Sequence, residues 1–143
     1  PYREHSESKG NFKSNFRPEL LVKTDDIMQN LSTNTFQVID ARNADRFHEI
    51  QGHIPNSKNA FFGDLIDENT GALKSKADLQ ATFDAGKVDM SKPSATTCGS
   101  GVTACALALA LFELGKTDVA VYDGSWTEWS SDINTPKAKT NAT

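Results

Sequence analysis

The feature that most constrains the fold is a short loop between a predicted strand and a predicted helix. Thr96 and Thr97 are β-branched residues, which suit the end of a strand. Residues 104–111 are so rich in alanine and leucine that they predict a helix. Cys98 opens the loop between them, and two glycines follow it within three positions. The pattern therefore predicts a tight strand-to-helix turn with a cysteine at its start.

This loop can surround the cysteine sulfur with hydrogen-bond donors. Gly99 and Gly101 allow the backbone to bend so that several N–H groups face inward, and the helix that begins near Ala104 adds the positive end of its dipole. We therefore predict that Cys98 is a nucleophile with a lowered pKa. The alternative is a small buried cysteine at a turn, and the two glycines favour the nucleophile.

The same loop geometry could bind a phosphate group, so the identity of the side chains must distinguish phosphoryl transfer from sulfur transfer. A cysteine phosphatase carries an arginine that grips the phosphoryl oxygens at the position taken here by Ala104. No lysine or arginine occurs from Cys98 to Leu114. The loop suits attack on a neutral sulfur atom better than attack on a phosphate dianion.

The loop from Cys98 to Thr103 resembles the active-site loop of the 3-mercaptopyruvate sulfurtransferases, a branch of the rhodanese superfamily. Relatives that use thiosulfate typically carry cationic residues where this chain has Gly99 and Ser100. Further segments that resemble this family, in chain order, are Val38-Ile39-Asp40-Ala41-Arg42, Gly52-His53-Ile54-Pro55 and Tyr122-Asp123-Gly124-Ser125-Trp126. The resemblance covers about residues 20 to 132.

The resemblance implies transfer of sulfur from 3-mercaptopyruvate, or a similar small donor, through a persulfide on Cys98. The acceptor would be a thiol such as thioredoxin, or cyanide, and no cofactor is expected. Ser100 is predicted to relay a proton, and the loop residues expected to contact the substrate are Gly99, Gly101, Val102 and Thr103. Two alternatives stay open: a sulfurtransferase that uses thiosulfate, and a catalytically weak module or domain fragment that serves protein interaction.

Arg46 is the candidate ligand for the carboxylate of the substrate. It lies in a predicted helical turn capped by Asn43, and a guanidinium pairs bidentately with a carboxylate. The resemblance implies the same role, whereas the alternative is a surface ion pair with Asp45 or Glu49. Relatives usually have a second arginine before the segment at Gly52, but this chain has none there. Weaker substrate binding is therefore expected.

Other reactive side chains are predicted to be structural. Arg42 should form an ion pair with Asp40 or bind a loop carbonyl, and His53 should bond nearby backbone rather than act as a base for Cys98. Cys105 is expected to be buried and inert. The cysteines and histidines lack the spacing of metal ligands, so no metal site is predicted.

Strand and helix patterns alternate along the chain. Strands are predicted over residues 36–39, up to Thr97 and over residues 119–122, and helices are predicted to begin at Thr24, after Ser75 and near Ala104. This alternation predicts an α/β fold with an open, mostly parallel sheet and helices on both faces. The resemblance implies the rhodanese version of that fold. Trp126 and Trp129 are expected to close its core.

The 143 residues, 37% of them hydrophobic, predict one catalytic domain over residues 20–132. Residues 1–19 read as a polar linker or arm, in which Phe12 and Phe16 are either packing anchors or incidental. Residues 133–143 are predicted to be a disordered tail. The resemblance also implies a preceding rhodanese domain, which supplies a histidine and an acid that cooperate with the loop serine.

Charge and cysteine content limit the partners and the compartment. The net charge of -4 argues against nucleic acid as a partner, and no apolar run has the length of a membrane span. Two cysteines seven positions apart do not resemble a secreted disulfide framework. A reducing compartment, cytoplasmic or mitochondrial, is expected.

Overall fold

The fold is built on a five-stranded sheet in which every pair of neighbouring strands is parallel. The computed structural model describes residues 10–139. Its strands are β1 (Leu21–Val22), β2 (Gln37–Asp40), β3 (Lys58–Asn59), β4 (Ser94–Thr97) and β5 (Val119–Tyr122), in the spatial order β1-β5-β4-β2-β3. Its α-helices are α1 (Thr24–Thr33), α2 (Lys76–Ala85), α3 (Val102–Glu113) and α4 (Ser125–Ser131). Short helical turns cover Pro18–Leu20, Arg46–Ile50 and Phe62–Leu65.

Strand β4 lies at the centre of the sheet, between β2 and β5. Thr96 is in register with Ile39 on one side and with Val121 on the other. Because parallel strands end at the same edge, Asp40, Thr97 and Tyr122 bring their following loops together. The chain enters the Cys98 loop at the middle of this edge.

Helices cover both faces of the sheet, as the sequence predicted. Ile39 packs with α2 and α3 in a cluster whose helical members are Leu79, Phe83, Ala104, Leu107, Ala110 and Leu111. Val38 points to the opposite face, because successive side chains of a strand alternate. It packs there with Ile27, Tyr122, Trp126 and Trp129, so the two tryptophans do close a core. No helix of the described residues is long and apolar enough to cross a bilayer.

The start of α2 follows the sequence prediction, whereas the start of α1 does not. Ser75 caps α2 by accepting a hydrogen bond from the Asp78 N–H, as predicted. Thr24, however, is the first residue of α1 rather than its cap, and its hydroxyl lies 3.0 Å from the Tyr122 hydroxyl. The side chain of Asp26 instead accepts from the Lys23 N–H. The Thr24 hydroxyl thus contacts a residue distant in sequence, and Asp26 makes the local hydrogen bond at the start of the helix.

The segment from residue 133 to residue 139 differs from the predicted disordered tail. Thr135 is buried, and the Trp129 indole donates to the Pro136 carbonyl at 2.8 Å. His53 and Ala138 exchange two backbone hydrogen bonds of 2.8 and 2.9 Å. One local contact, from Trp129, and one distant contact, from His53, thus order a polar stretch that its composition alone cannot order. Residues 140–143 lie outside the described part of the chain.

The predicted arm contacts the domain little in the residues that the structure describes. Phe12 and Phe16 are 91% and 74% exposed, so neither is an anchor on this domain. The first part of the arm, residues 1–9, lies outside the described residues.

A buried ion pair fixes the loop that follows β2. Arg42 Nη2 lies 2.7 Å from Asp40 Oδ2, and the same nitrogen donates to the Gly52 carbonyl at 2.8 Å. The guanidinium carbon lies 4.6 Å from the centre of the Trp126 ring, so the cation also stacks on an aromatic face. The sequence left two partners open for Arg42, namely Asp40 and a loop carbonyl, and Arg42 binds both.

Asp40→Asn should destabilise the fold strongly, because it leaves the buried Arg42 charge without its carboxylate. We expect a loss of about 3–5 kcal/mol in the free energy of unfolding, measured by urea denaturation. Glu19→Gln is the matched control, since its ion pair with Arg17 is exposed and its loss should change little. Equal losses in the two variants would contradict a structural role for the buried pair.

Candidate active site

The cysteine loop has the length and the conformation that its glycines allow. It spans residues 98–101, between the end of β4 and the start of α3. Gly101 has φ +90°, and a Cβ atom there would lie 2.6 Å from the Asp123 carbonyl oxygen. Only glycine meets both conditions without strain. The predicted helix begins two residues earlier than expected, at Val102, so the Ala104 N–H belongs to its unpaired first turn.

Hydrogen-bond donors converge on the Cys98 sulfur. The Gly101 N–H donates to Sγ with a nitrogen to sulfur distance of 3.1 Å. Burial raises the pKa of Cys98, but hydrogen bonds from the Thr103 hydroxyl and from the N–H groups of Ala104, Ser100 and Gly101 outweigh it. The pKa of Cys98 is therefore lower than that of an ordinary thiol, as the sequence predicted, and more of the thiolate is present at neutral pH.

Cys98 is 2% exposed, yet it lines a pocket of about 400 Å³ that is partly open to solvent. The pocket is bounded by Arg42, Asn43, Arg46, Phe61, Phe62, Cys98, Gly99, Ser100, Val102 and Thr103. The structure thus gathers every predicted site residue except Gly101 around one pocket, and Gly101 contacts the sulfur directly. A small molecule in the pocket would meet both the sulfur and an arginine.

Two pocket residues that were not predicted from the sequence are Phe61 and Phe62, whose rings pack edge to face with centroids 5.1 Å apart. They follow β3, which ends at Asn59, so they lie at the same edge of the sheet as the cysteine loop. The sequence signal that could have identified them is a pair of aromatic residues two positions after the end of a short edge strand. They give the pocket an apolar wall.

Arg46 lies at the mouth of the pocket. Its N–H donates to the Asn43 side chain at 3.1 Å, so Asn43 caps the turn as predicted. Among the described residues, Arg46 forms no ion pair with Asp45 or Glu49, and its side chain is exposed. Arg42 also lines the pocket, but it is committed to Asp40. Of the two guanidinium groups, that of Arg46 is the better placed to bind an anion.

His53 is not part of the pocket. Its Nδ1 lies 2.9 Å from the Ile54 carbonyl oxygen, and its ring stacks on Phe47 with centroids 4.0 Å apart. Burial lowers the pKa of His53, which favours the neutral ring. The predicted backbone contact is confirmed, and nothing in this geometry makes His53 a base for Cys98.

The prediction that Cys105 is buried is wrong. It is exposed on the outer face of α3, and its thiol donates to the Gly101 carbonyl at 3.5 Å. Residues three or four positions apart share a face of a helix, so Val102, Leu109 and Phe112 are exposed beside it. The Ala/Leu-rich sequence of α3 is apolar all round and gives no sign of which face is inward. Within residues 10–139, no cluster of His, Cys, Asp or Glu could hold a metal ion.

Known proteins resemble this chain in sequence. A thiosulfate/3-mercaptopyruvate sulfurtransferase of Arabidopsis thaliana is 42% identical over 134 residues, and a 3-mercaptopyruvate sulfurtransferase of Mus musculus is 44% identical over 136. These alignments cover 87% and 89% of this chain, but 39% and 45% of the relatives. The chain therefore spans less than half the length of either relative.

A solved structure gives the same result for the fold. The crystal structure of SseA from Escherichia coli, described as a 3-mercaptopyruvate sulfotransferase with the rhodanese fold, superposes with a TM-score of 0.73 at 41% identity. The match covers 82% of this chain and 46% of SseA. The sequence model of the rhodanese-like domain matches residues 23–132. With most of its length matched in this way, the chain belongs to the rhodanese-like family.

Proposed function

We propose that this chain is the catalytic unit of a sulfurtransferase that moves sulfur from 3-mercaptopyruvate through a persulfide on Cys98. The observation that carries the proposal is the Cys98 sulfur, held by inward-facing N–H groups at the wall of a pocket whose mouth carries Arg46. A nucleophile and an anion ligand thus meet in one small site. The relatives named as sulfurtransferases support the same reaction type.

In the first step, the Cys98 thiolate attacks the thiol sulfur of the donor. The new sulfur–sulfur bond forms as the carbon–sulfur bond breaks, and the bonding electrons leave with the carbon as the enolate of pyruvate. A proton from solvent converts the enolate to pyruvate. Ser100 lies exposed at the pocket and is placed to relay this proton. The amides that stabilise the thiolate also stabilise the persulfide anion that replaces it.

In the second step, an acceptor removes the outer sulfur and restores the Cys98 thiolate. A thiol acceptor such as thioredoxin becomes a persulfide, and cyanide becomes thiocyanate. The exposed loop residues Ser100 and Val102 leave one side of the pocket open to such an acceptor. The first step needs no external oxidant, because the transferred sulfur is oxidised as the donor carbon takes the electron pair of the broken carbon–sulfur bond.

The charge around the pocket favours a monoanionic donor. Arg46 can pair with the single carboxylate of 3-mercaptopyruvate, while Arg42 is neutralised by Asp40. Thiosulfate is a dianion, and the loop itself carries no cation to balance the second charge. Thiosulfate stays the second candidate, because the Arabidopsis thaliana relative is named for both donors.

We also propose that a preceding rhodanese domain completes the enzyme, since the relatives are more than twice as long as the matched segment. Such a protein would work in the cytoplasm or in mitochondria. A catalytically weak interaction module is the competing proposal, and it is favoured by the lack of an arginine between Arg46 and Gly52, where relatives usually have a second one.

The persulfide can be detected directly by intact-mass measurement after incubation with 3-mercaptopyruvate or thiosulfate. We expect a gain of one sulfur atom with 3-mercaptopyruvate, its loss on treatment with cyanide, and no gain in Cys98→Ser. Cys105→Ser is the control, because this exposed thiol lies outside the pocket and its removal should leave the gain intact. Uptake of sulfur from neither donor would favour the interaction module, and uptake from thiosulfate alone would overturn the choice of donor.

Arg46→Gln should weaken donor binding and leave the chemical step nearly unchanged. Loss of a charged hydrogen bond of roughly 1.5–3 kcal/mol predicts a KM for 3-mercaptopyruvate that is about tenfold to a hundredfold higher. Steady-state pyruvate release measures both constants. Arg17→Gln is the control, since Arg17 is exposed in the arm and pairs with Glu19. An unchanged KM would remove Arg46 from the donor site.

A further inference from the structure

The cysteine loop is bonded to the turn that begins α4. Cys98 N–H donates to Ser125 Oγ at 3.1 Å, and that hydroxyl donates to the Tyr122 carbonyl at 2.8 Å. Tyr122 ends β5 and Cys98 directly follows β4. The Ser125 side chain therefore links the ends of β4 and β5 by hydrogen bonds that lie beyond those of the sheet itself.

The two carbonyl groups that follow in the loop are also held by α4. The Trp126 N–H donates to the Cys98 carbonyl at 3.0 Å. The Gly99 carbonyl accepts twice, from the Thr127 N–H at 2.9 Å and from the Thr127 hydroxyl at 2.7 Å. Both carbonyls consequently point away from the pocket and toward α4.

The direction of these carbonyls decides where the amides point. In a trans peptide unit, the C=O and the N–H point in opposite directions, and the described chain contains no cis peptide bond. The Gly99 carbonyl shares its peptide unit with the Ser100 N–H. When Thr127 holds that carbonyl on the α4 side, the Ser100 N–H must face the opposite side, where the Cys98 sulfur lies.

We propose that Ser125 and Thr127 are positioning residues, which hold the loop so that its N–H groups face the Cys98 sulfur. Neither side chain lines the pocket or contacts the sulfur, so each acts through the loop backbone. Their catalytic importance rests on the proposed function, but their effect on the thiol does not.

The backbone at Ser125 supports this assignment. Ser125 is fully buried and has φ +51°, a left-handed conformation that is uncommon for a residue with a side chain. A serine held there costs stability that glycine would avoid. Its hydroxyl gives a reason for the choice, since glycine cannot accept the Cys98 N–H.

The experiment measures the pKa of Cys98 from the rate of alkylation by iodoacetamide against pH, in a Cys105→Ser background. Thr127→Val keeps the side-chain shape without the hydroxyl, and Ser125→Gly removes the other hydroxyl while relieving the left-handed backbone. We expect the midpoint of each profile to rise by about half to one pH unit, because a less well aimed N–H stabilises the thiolate less.

Two further variants separate positioning from general damage. Thr127→Ser keeps a hydroxyl and should restore the midpoint of the parent. Ser131→Ala removes a hydroxyl of the same helix that bonds only within α4, and should not move the midpoint. The charged groups near the loop are unaltered in all variants: Arg42 with Asp40, Arg46, Asp123 and Glu128.

The outcomes are distinct. A fall in melting temperature with the midpoint of the parent would show that Ser125 and Thr127 are merely structural and would overturn the proposal. A parent profile at the value of a free thiol, about 8.5, would overturn both the positioning and the lowered pKa. A raised midpoint in the variants of a parent that takes up no sulfur would support the positioning and reject the proposed function.

Discussion

The parallel pairing of β4 between β2 and β5 is the constraint on which the rest of the structure depends. It sets the ends of three strands side by side, at Asp40, Thr97 and Tyr122. The loop after each end then contributes a different part of the candidate site: an ion pair and an arginine, the Cys98 sulfur, and the turn that holds the Cys98 backbone. A shift in register would separate these parts, because no single loop contains all of them.

The site concentrates positive potential on the sulfur without placing a cation beside it. Backbone N–H groups and one hydroxyl surround Cys98, while the nearest guanidinium groups lie at the pocket wall and mouth. Amides fixed in this way are already oriented toward the sulfur, so they need little reorganisation as its charge changes. In the proposed reaction, this arrangement leaves Arg46 for the carboxylate of the donor.

Much of this organisation could be predicted from local sequence. The glycine pattern after Cys98, the Ser75 cap, the strand before Asp40 and the pairing of Arg42 all depend on neighbours close in the chain. Two of the errors have a common cause. The Thr24 hydroxyl contacts Tyr122 instead of capping its helix, and the segment after Thr135 is bonded through Ala138 to His53, both through contacts distant in sequence. Cys105 was misplaced because α3 is apolar on every side.

By itself, the sequence determined that a cysteine would stand at a strand-to-helix turn rich in N–H groups, because glycine content and helix preference are local properties. Only the tertiary structure decided which way those groups point. That choice is made by Ser125 and Thr127, which lie 27 and 28 positions beyond the residues they bond. The tertiary structure also places Phe61, Phe62 and Arg46 around one pocket with the Cys98 sulfur. The physical reason is that peptide orientation in a loop depends on the partners of its carbonyls, and a parallel sheet brings those partners from distant parts of the chain.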